Sequence, residues 1–129
     1  MEDELPVADR LDGIPLPSEI SQLLGHDQAV KQLMAASASG RMHHAWLVTG
    51  ARGIGKASLA FAVSKFLLSS REELGSDALD WDPRVHGQVV QGAHPGLLHL
   101  ARPWDDKSKK FKSQLSVDEI RKTQKFFGM

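Results

Sequence analysis

The residues of this chain best suited to chemistry form a glycine-rich loop. Residues 50–56 read Gly-Ala-Arg-Gly-Ile-Gly-Lys and match seven of the eight positions of the phosphate-binding pattern G-x-x-x-x-G-K-[ST]. Glycines let backbone N–H groups surround phosphate oxygens, and the N-terminus of a following helix adds positive potential. Lys56 would reach the β- and γ-phosphates of a nucleotide. The pattern therefore predicts a nucleotide-binding loop, whose residues are Gly50, Arg52, Gly53, Ile54, Gly55, Lys56, Ala57 and Ser58.

The eighth position of the pattern is Ala57, where a serine or threonine hydroxyl would bind magnesium. A methyl group cannot replace that oxygen, and Ser58 lies about 100° further around the helix. The second usual ligand, an aspartate after a later strand, is also missing, because Arg-Pro-Trp follows the apolar run that ends at Ala101. Phosphoryl transfer depends on magnesium. We therefore expect weak or absent ATP or ADP binding, no hydrolysis, and no catalytic or metal-binding residue.

Two other interpretations of the loop remain open. An active P-loop ATPase or kinase would recruit magnesium through Ser58, whereas a degenerate loop would bind nothing and serve only in packing. The six histidines do not have the spacing of a zinc site. Nucleotide titrations with and without magnesium would separate these possibilities.

The glycine loop is flanked by elements that would position it. Residues 45–49 form a short apolar run, which is typical of a strand buried on both faces. A long apolar helix is predicted over residues 56–70. Upstream, Asp27 is expected to cap a helix over residues 28–39, and Gly40 suits the left-handed position that ends it. The long helix carries an apolar stripe made of Leu59, Val63, Phe66 and Leu67.

The segment after residue 80 predicts a further helix and a second strand. Asp82 followed by Pro83 is typical of a helix N-terminus, and that short helix should end near Gly92. Residues 97–101 are apolar and predict the second strand.

A basic loop over residues 102–114 leads into the last helix. Its lysines and nearby aromatic residues could contact nucleic acid, but two acids interrupt the cluster and a solvated loop or hairpin is the favoured interpretation. Ser116 and Glu119 form a capping box, which predicts a helix that ends at Gly128. The apolar face of this helix is made of Val117, Ile120 and Phe127.

Composition narrows the class of protein. The chain has 129 residues, 41% of them hydrophobic and none of them cysteine, which fits one globular domain and excludes thiol chemistry. No apolar run is long enough to cross a membrane, and the acidic start does not resemble a signal peptide, so we expect a cytoplasmic protein. Sixteen basic and sixteen acidic side chains cancel. Residues 1–24 are interpreted as an extended, acidic lead-in.

Taken together, these motifs resemble the delta-prime family of clamp-loader subunits of bacterial DNA polymerase III. The resemblance runs from about residue 25 to residue 129. It includes Gly-His-Asp-Gln-Ala from residue 25, His-Ala-Trp-Leu from residue 44, and the glycine loop with alanine after its lysine. It continues through His-Pro at residues 94–95 and Ser-Val-Asp-Glu-Ile-Arg from residue 116.

The resemblance implies the fold and the function. The fold class would be α/β: an incomplete AAA+ P-loop (Rossmann-like) domain over residues 25–129, with a short parallel sheet flanked by helices. The function would be that of a stator in the clamp loader, which places the sliding clamp on primed DNA during replication. The expected partners are the other clamp-loader subunits, with the clamp and DNA contacted indirectly. The chain would then be a non-catalytic part of a DNA-directed DNA polymerase holoenzyme.

Three features of the family are expected to be missing from residues 1–129. The Walker-B strand and a Ser-Arg-Cys motif should follow Met129, and the four-cysteine zinc module of many members is excluded because the chain has no cysteine. Without the later strands, residues 97–101 would present an unpaired edge. We therefore expect self-association.

Overall fold

A computed structural model describes residues 12–69 and 79–128. These residues divide into two compact units, one spanning Pro15–Gly96 and the other containing residues 12–14 and 97–128. The acidic start of the predicted lead-in and most of the charged loop after the long helix lie outside the described residues.

The larger unit is built around one central helix. It contains a short 3-10 helix, η1 (Pro17–Glu19), and the α-helices α1 (Asp27–Ala38), α2 (Lys56–Leu68) and α3 (Pro83–Val90). Helix α2 contacts η1, α1 and α3, and η1 also contacts α3. The buried apolar side chains of the described residues all come from α2 and α3: Leu59, Ala62, Val63, Phe66, Val85 and Val89. The predicted stripe on α2 is therefore confirmed except for Leu67, which is 47% exposed.

The ends of these helices follow the predicted capping residues with one exception. Asp82 accepts a hydrogen bond from the Arg84 N–H at 2.8 Å, and Pro83 is the first residue of α3. Gly40 has the left-handed backbone expected after α1. Asp27 was predicted as the N-cap of α1, but it is the first helical residue, and His26 precedes it with a left-handed φ of 59°. That conformation lets the His26 ring reach the glycine loop, a long-range contact that local propensity does not encode.

The two predicted strands are not present, and this corrects the sequence interpretation. Residues 45–49 and 97–101 have no strand pairing, and Leu47 is 88% exposed. An apolar run indicates a preference for burial, but a strand also needs a neighbour that accepts and donates its backbone hydrogen bonds. The predicted parallel sheet is not seen among the described residues. The unpaired edge at residues 97–101, on which the expected self-association rested, is therefore also not found.

The smaller unit contains a hairpin and a helix. Strands β1 (Trp104–Asp105) and β2 (Lys110–Phe111) pair in antiparallel fashion, with Trp104 opposite Phe111. Helix α4 (Val117–Phe126) follows, and Ser116 accepts the Glu119 N–H at 3.2 Å, as predicted. The Glu119 carboxylate pairs with Lys122 at 2.8 Å. The apolar face of α4 is exposed: Val117, Ile120 and Phe127 are all more than half accessible.

The described part of the chain therefore combines helices with a small antiparallel sheet. None of its helices has the length and apolar character needed to cross a lipid bilayer.

Candidate functional site

The glycine loop lies between residues 45–49 and helix α2, and its shape depends on its glycines. Gly55 has a φ of 98° and is the N-cap of α2. A β-carbon there would lie 3.2 Å from His26 Nε2, and one on Gly50 would overlap the Ile54 side chain. Side chains at these two positions would therefore conflict with the loop conformation.

Lys56 folds back over the loop that precedes it. Its ammonium donates hydrogen bonds to the Gly50 carbonyl at 2.7 Å and the Ala51 carbonyl at 3.2 Å. An ammonium has three N–H donors, so one remains beyond these two bonds. The lysine thus closes the loop and retains a proton with which to contact an anion.

The N-terminus of α2 adds further donors at the same place. The first bond inside the helix runs from the Leu59 N–H to the Gly55 carbonyl at 2.9 Å. The N–H groups of residues 56–58 therefore precede the intrahelical ladder, and the positive end of the helix dipole lies beside Lys56. This combination of donors and charge favours an anion, and a phosphate group has the matching acceptors.

His26 is a residue of this site that sequence reasoning did not assign to the loop. Its Nε2 forms a hydrogen bond with the Ile54 carbonyl at 2.7 Å, although the two residues are 28 positions apart. Its left-handed backbone is uncommon for a residue other than glycine. Neither feature has a local sequence signal, because both arise from the packing of α1 near the loop.

The sequence on either side of the loop has an excess of basic residues. From residue 28 to residue 71 the sequence has six basic residues and no aspartate or glutamate. Two of the six, Arg52 and Lys56, belong to the loop itself. This segment of unbalanced charge is a signal that could have been read from the sequence.

The position after Lys56 has no side-chain oxygen that could bind a cation. Ala57 is exposed and has no oxygen in its side chain, while Ser58 is half-buried at the next position. Within residues 12–69 and 79–128, no group of three histidine, cysteine, aspartate or glutamate residues could hold a metal ion. Asp105 and Asp106 are used inside the hairpin turn, where Asp105 accepts from the Ser108 hydroxyl and Asp106 from the Trp104 indole. The loop thus has hydrogen-bond donors that match phosphate oxygens, while Ala57 has no oxygen to offer a cation.

A second polar cluster surrounds Lys65, further along α2. This side chain is completely buried, and its ammonium donates to the Ile20 carbonyl at 3.2 Å and to His86 Nδ1 at 3.0 Å. It also lies 4.9 Å from the centre of the Trp81 ring, which stacks on His86. Burial lowers the pKa of Lys65. The pKa of His86 is also lowered, mainly by burial and to a smaller extent by the positive charge of Lys65. The cluster connects the residue that follows η1 to α2 and α3.

The structure brings together four of the eight predicted loop residues. Gly50, Ile54, Gly55 and Lys56 make direct contacts with one another or with His26, whereas Ala57 faces solvent. Arg52 and Gly53 are exposed in the same turn.

Comparison with known proteins shows the family to which the chain belongs. A family described as DNA polymerase III, delta subunit, matches residues 25–129. Two curated relatives, both named DNA polymerase III subunit gamma, match over 51 residues. The relative from Buchnera aphidicola subsp. Schizaphis graminum is 35% identical, and the one from Buchnera aphidicola subsp. Acyrthosiphon pisum is 37% identical. Each match covers 40% of this chain and 14% of the relative.

No solved structure matched the chain. The family match nevertheless extends over most of the sequence and includes the glycine loop, α2 and α4. The chain belongs to the DNA polymerase III delta subunit family.

Proposed function

We propose that the chain acts in DNA replication as a delta-prime-type subunit of the DNA polymerase III clamp loader. In this role its AAA+ glycine loop binds the phosphates of ATP or ADP, weakly, and does not hydrolyse them. Family membership supports the replication role. One observation supports the proposal of nucleotide binding without hydrolysis: Ala57 follows a loop that is otherwise suited to phosphate.

The physical argument separates binding from hydrolysis. Binding requires donors and positive charge, which Lys56 and the first N–H groups of α2 supply. Hydrolysis also requires a cation held against the phosphates to neutralise developing charge. A loop with the first set of groups and without the second would hold a nucleotide as a structural ligand.

The proposed partners are the other subunits of the loader, with the sliding clamp and primed DNA contacted through the assembly. Both curated relatives are named as subunits of the same polymerase, which supports association with that complex. The chain would act as a scaffold there rather than as an enzyme.

Isothermal titration calorimetry with ATP and ADP, with and without Mg²⁺, tests the nucleotide part of this proposal. We expect binding that Mg²⁺ does not strengthen, because Ala57 gives the loop no hydroxyl at the usual magnesium position and Ser58 lies about 100° further around the helix. Lys56→Ala should weaken binding about tenfold or more, since a charge-assisted hydrogen bond is lost. Lys31→Ala removes an exposed lysine from α1 and is the matched control.

The other interpretations predict different results. Binding that strengthens with Mg²⁺, together with turnover that Ser58→Ala abolishes, would favour an active ATPase. The absence of heat and of any thermal shift would favour a loop that serves only in packing. Co-purification with other clamp-loader subunits tests the replication role independently of nucleotide.

A further inference from the structure

The imidazole of His26 lies beside the N-terminus of helix α2. Its Nε2 atom is 2.7 Å from the Ile54 carbonyl oxygen, and a β-carbon on Gly55 would lie 3.2 Å from the same nitrogen. Gly55 is the N-cap of α2, and the N–H groups of the next three residues precede the hydrogen bonds inside the helix. The ring is therefore next to the donors that the proposed function assigns to phosphate oxygens.

The bond to Ile54 determines which ring nitrogen of His26 carries the proton. A carbonyl oxygen only accepts hydrogen bonds, so Nε2 is the donor and a neutral ring has its lone pair on Nδ1. Among the residues that the structure describes, none forms a hydrogen bond with Nδ1. A second proton can therefore be added at Nδ1 while Nε2 keeps its bond to the loop. Protonation changes the charge of His26 without breaking the contact that positions it.

The backbone of residues 25 and 26 directs this ring toward the loop. Gly25 and His26 both have left-handed φ values, 78° and 59°, and α1 begins at the next residue. Glycine adopts this conformation more easily than histidine does. Backbone strain of this kind is found at functional sites, and it supports a use of the His26 side chain beyond the start of the helix.

The charged groups near His26 are mostly basic. The ring lies where α1, the glycine loop and the start of α2 meet, and their charged residues are Asp27, Lys31, Arg52, Lys56 and Lys65. Lys65 is buried in the separate cluster with His86, whereas the Lys56 ammonium is held against the Gly50 carbonyl. Histidine is the side-chain type that ordinarily changes its charge between pH 5 and 8. The charge that the loop presents to a phosphate therefore depends on His26 in this range.

The alanine at position 57 makes this charge important. A serine or threonine hydroxyl at that position would help to hold Mg²⁺, which neutralises the phosphates of a nucleotide. Ala57 has no such oxygen, so groups of the protein itself must balance the negative charge. Lys56 and the N-terminus of α2 supply part of this balance. An imidazolium beside Gly55 supplies one further positive charge.

We propose that His26 links phosphate binding at the glycine loop to proton uptake. The Nδ1 atom of His26 takes up a proton from solvent when the loop binds the phosphates of ADP or ATP. The imidazolium and the phosphates attract each other, so each raises the affinity of the chain for the other. Nucleotide affinity then depends on pH instead of on magnesium. This role of His26 rests on the proposed function, nucleotide binding at the loop, and adds its regulation.

Titration calorimetry with ADP in the presence of EDTA, at about pH 8 and about pH 5.5, measures this linkage. The terminal phosphate of ADP also gains a proton near pH 6, which weakens its attraction to the loop. The affinity of the unsubstituted chain is therefore divided by that of His26→Gln, so that the contribution of the ligand cancels. We expect this ratio to rise about threefold or more on acidification, since one positive charge is added near the phosphates.

Three variants separate the charge of His26 from its contact with the loop. His26→Gln keeps an N–H donor for the Ile54 carbonyl and does not titrate, whereas His26→Arg keeps the charge and should bind ADP more tightly than the unsubstituted chain at pH 8. The matched control is His94→Gln, because His94 is also half-buried and lies near Leu68, at the opposite end of α2. That helix has 13 residues, which separates the control from the loop by about 20 Å. His94→Gln should show the pH dependence of the unsubstituted chain.

Proton uptake is also measurable on the unsubstituted chain, which removes the risk that a variant folds poorly. At about pH 7.5 the phosphates of ADP are almost fully ionised. A proton taken up on binding at this pH therefore goes to the protein. Binding heats compared in buffers with different heats of ionisation report this uptake. We expect uptake of a fraction of a proton by the unsubstituted chain and by His94→Gln, and none by His26→Gln.

The outcomes distinguish this role of His26 from nucleotide binding itself. An equal pH dependence in His26→Gln and the unsubstituted chain, or binding without proton uptake, would overturn the role of His26 and leave nucleotide binding in place. A pH dependence that His94→Gln loses to the same extent would also overturn it, since the effect would then follow the overall charge of the chain. The absence of ADP binding at both pH values would contradict the proposed function and, with it, the linkage.

Discussion

The unit spanning residues 15–96 and the smaller unit of the chain are stabilised in different ways. The larger unit has every buried residue of the described chain, and the core apolar side chains come from two helices that contact each other. Residues 97–128 contain no buried residue and are stabilised by local turns, aromatic pairs and a capped helix. Burial thus stabilises the helices next to the glycine loop, whereas local hydrogen bonds stabilise the β1–β2 hairpin and α4.

The difference extends to the charged residues. In the larger unit a lysine is buried completely and is paired with a carbonyl and an imidazole. In the smaller unit the lysines are exposed, and the ion pairs lie at the surface. A buried charge makes stability sensitive to pH, while exposed charges make binding sensitive to salt.

The largest expected effect concerns the apolar core. Phe66→Ala should destabilise the larger unit by about 3–5 kcal/mol, because a buried aromatic side chain is lost and a cavity is left. Phe127→Ala, at a site 65% exposed, should change stability by less than about 0.5 kcal/mol. Urea denaturation followed by circular dichroism compares them. Similar losses of stability in the two variants would contradict the conclusion that only the larger unit depends on a buried core.

The next effect is the pH dependence of the Lys65 cluster. Folding lowers the pKa of His86 below its usual value of 6.5. At pH values between the lowered pKa and 6.5, the unfolded chain therefore binds more protons than the folded chain, and the free energy of unfolding decreases as the pH falls. The pKa of Lys65 is also lowered, so its contribution to stability rises as the pH approaches 10.5. Protonation of His86 would also remove the acceptor that the Lys65 ammonium uses.

Thermal melts at pH 7 and pH 5 measure this effect. His86→Asn keeps a side-chain acceptor near Lys65 but does not titrate, so its loss of stability on acidification should be smaller than that of the unsubstituted chain. His44→Asn changes an exposed histidine and serves as the control. An equal acid sensitivity in His86→Asn and the unsubstituted chain would show that the cluster is not its source.

The smallest expected effect concerns the contact between His26 and the glycine loop. His26→Asn should cost about 0.5–1 kcal/mol, because asparagine tolerates the left-handed backbone but its shorter side chain loses the hydrogen bond to Ile54. Hydrogen exchange of the amides of residues 54–58 reports the local effect. No change in exchange there would show that His26 does not position the loop.

The sequence predicted the elements whose signals are local. The helix starts at Asp82 and Ser116, the left-handed Gly40 and the core stripe on α2 each depend on residues within a few positions. The strands at residues 45–49 and 97–101 were wrong, because pairing depends on a partner segment that an apolar run does not specify. His26 was missed as a contact of the loop for the same reason.

The candidate site was predictable in its residues but not in its internal contacts. The loop pattern identified Lys56 and the glycines. The hydrogen bond from the Lys56 ammonium to the Gly50 carbonyl could not be predicted, because it depends on the conformation of the whole loop. The buried Lys65 was also unpredictable, since a lysine within an apolar helix is usually expected to reach solvent.

A crystal structure of the chain with ATP and Mg²⁺ tests the central claim most directly. The account predicts phosphate density against the N–H groups at the start of α2 and the Lys56 ammonium, with no side chain of this molecule bound to the ion. Magnesium held by the Ser58 hydroxyl or by any carboxylate of the chain would contradict it.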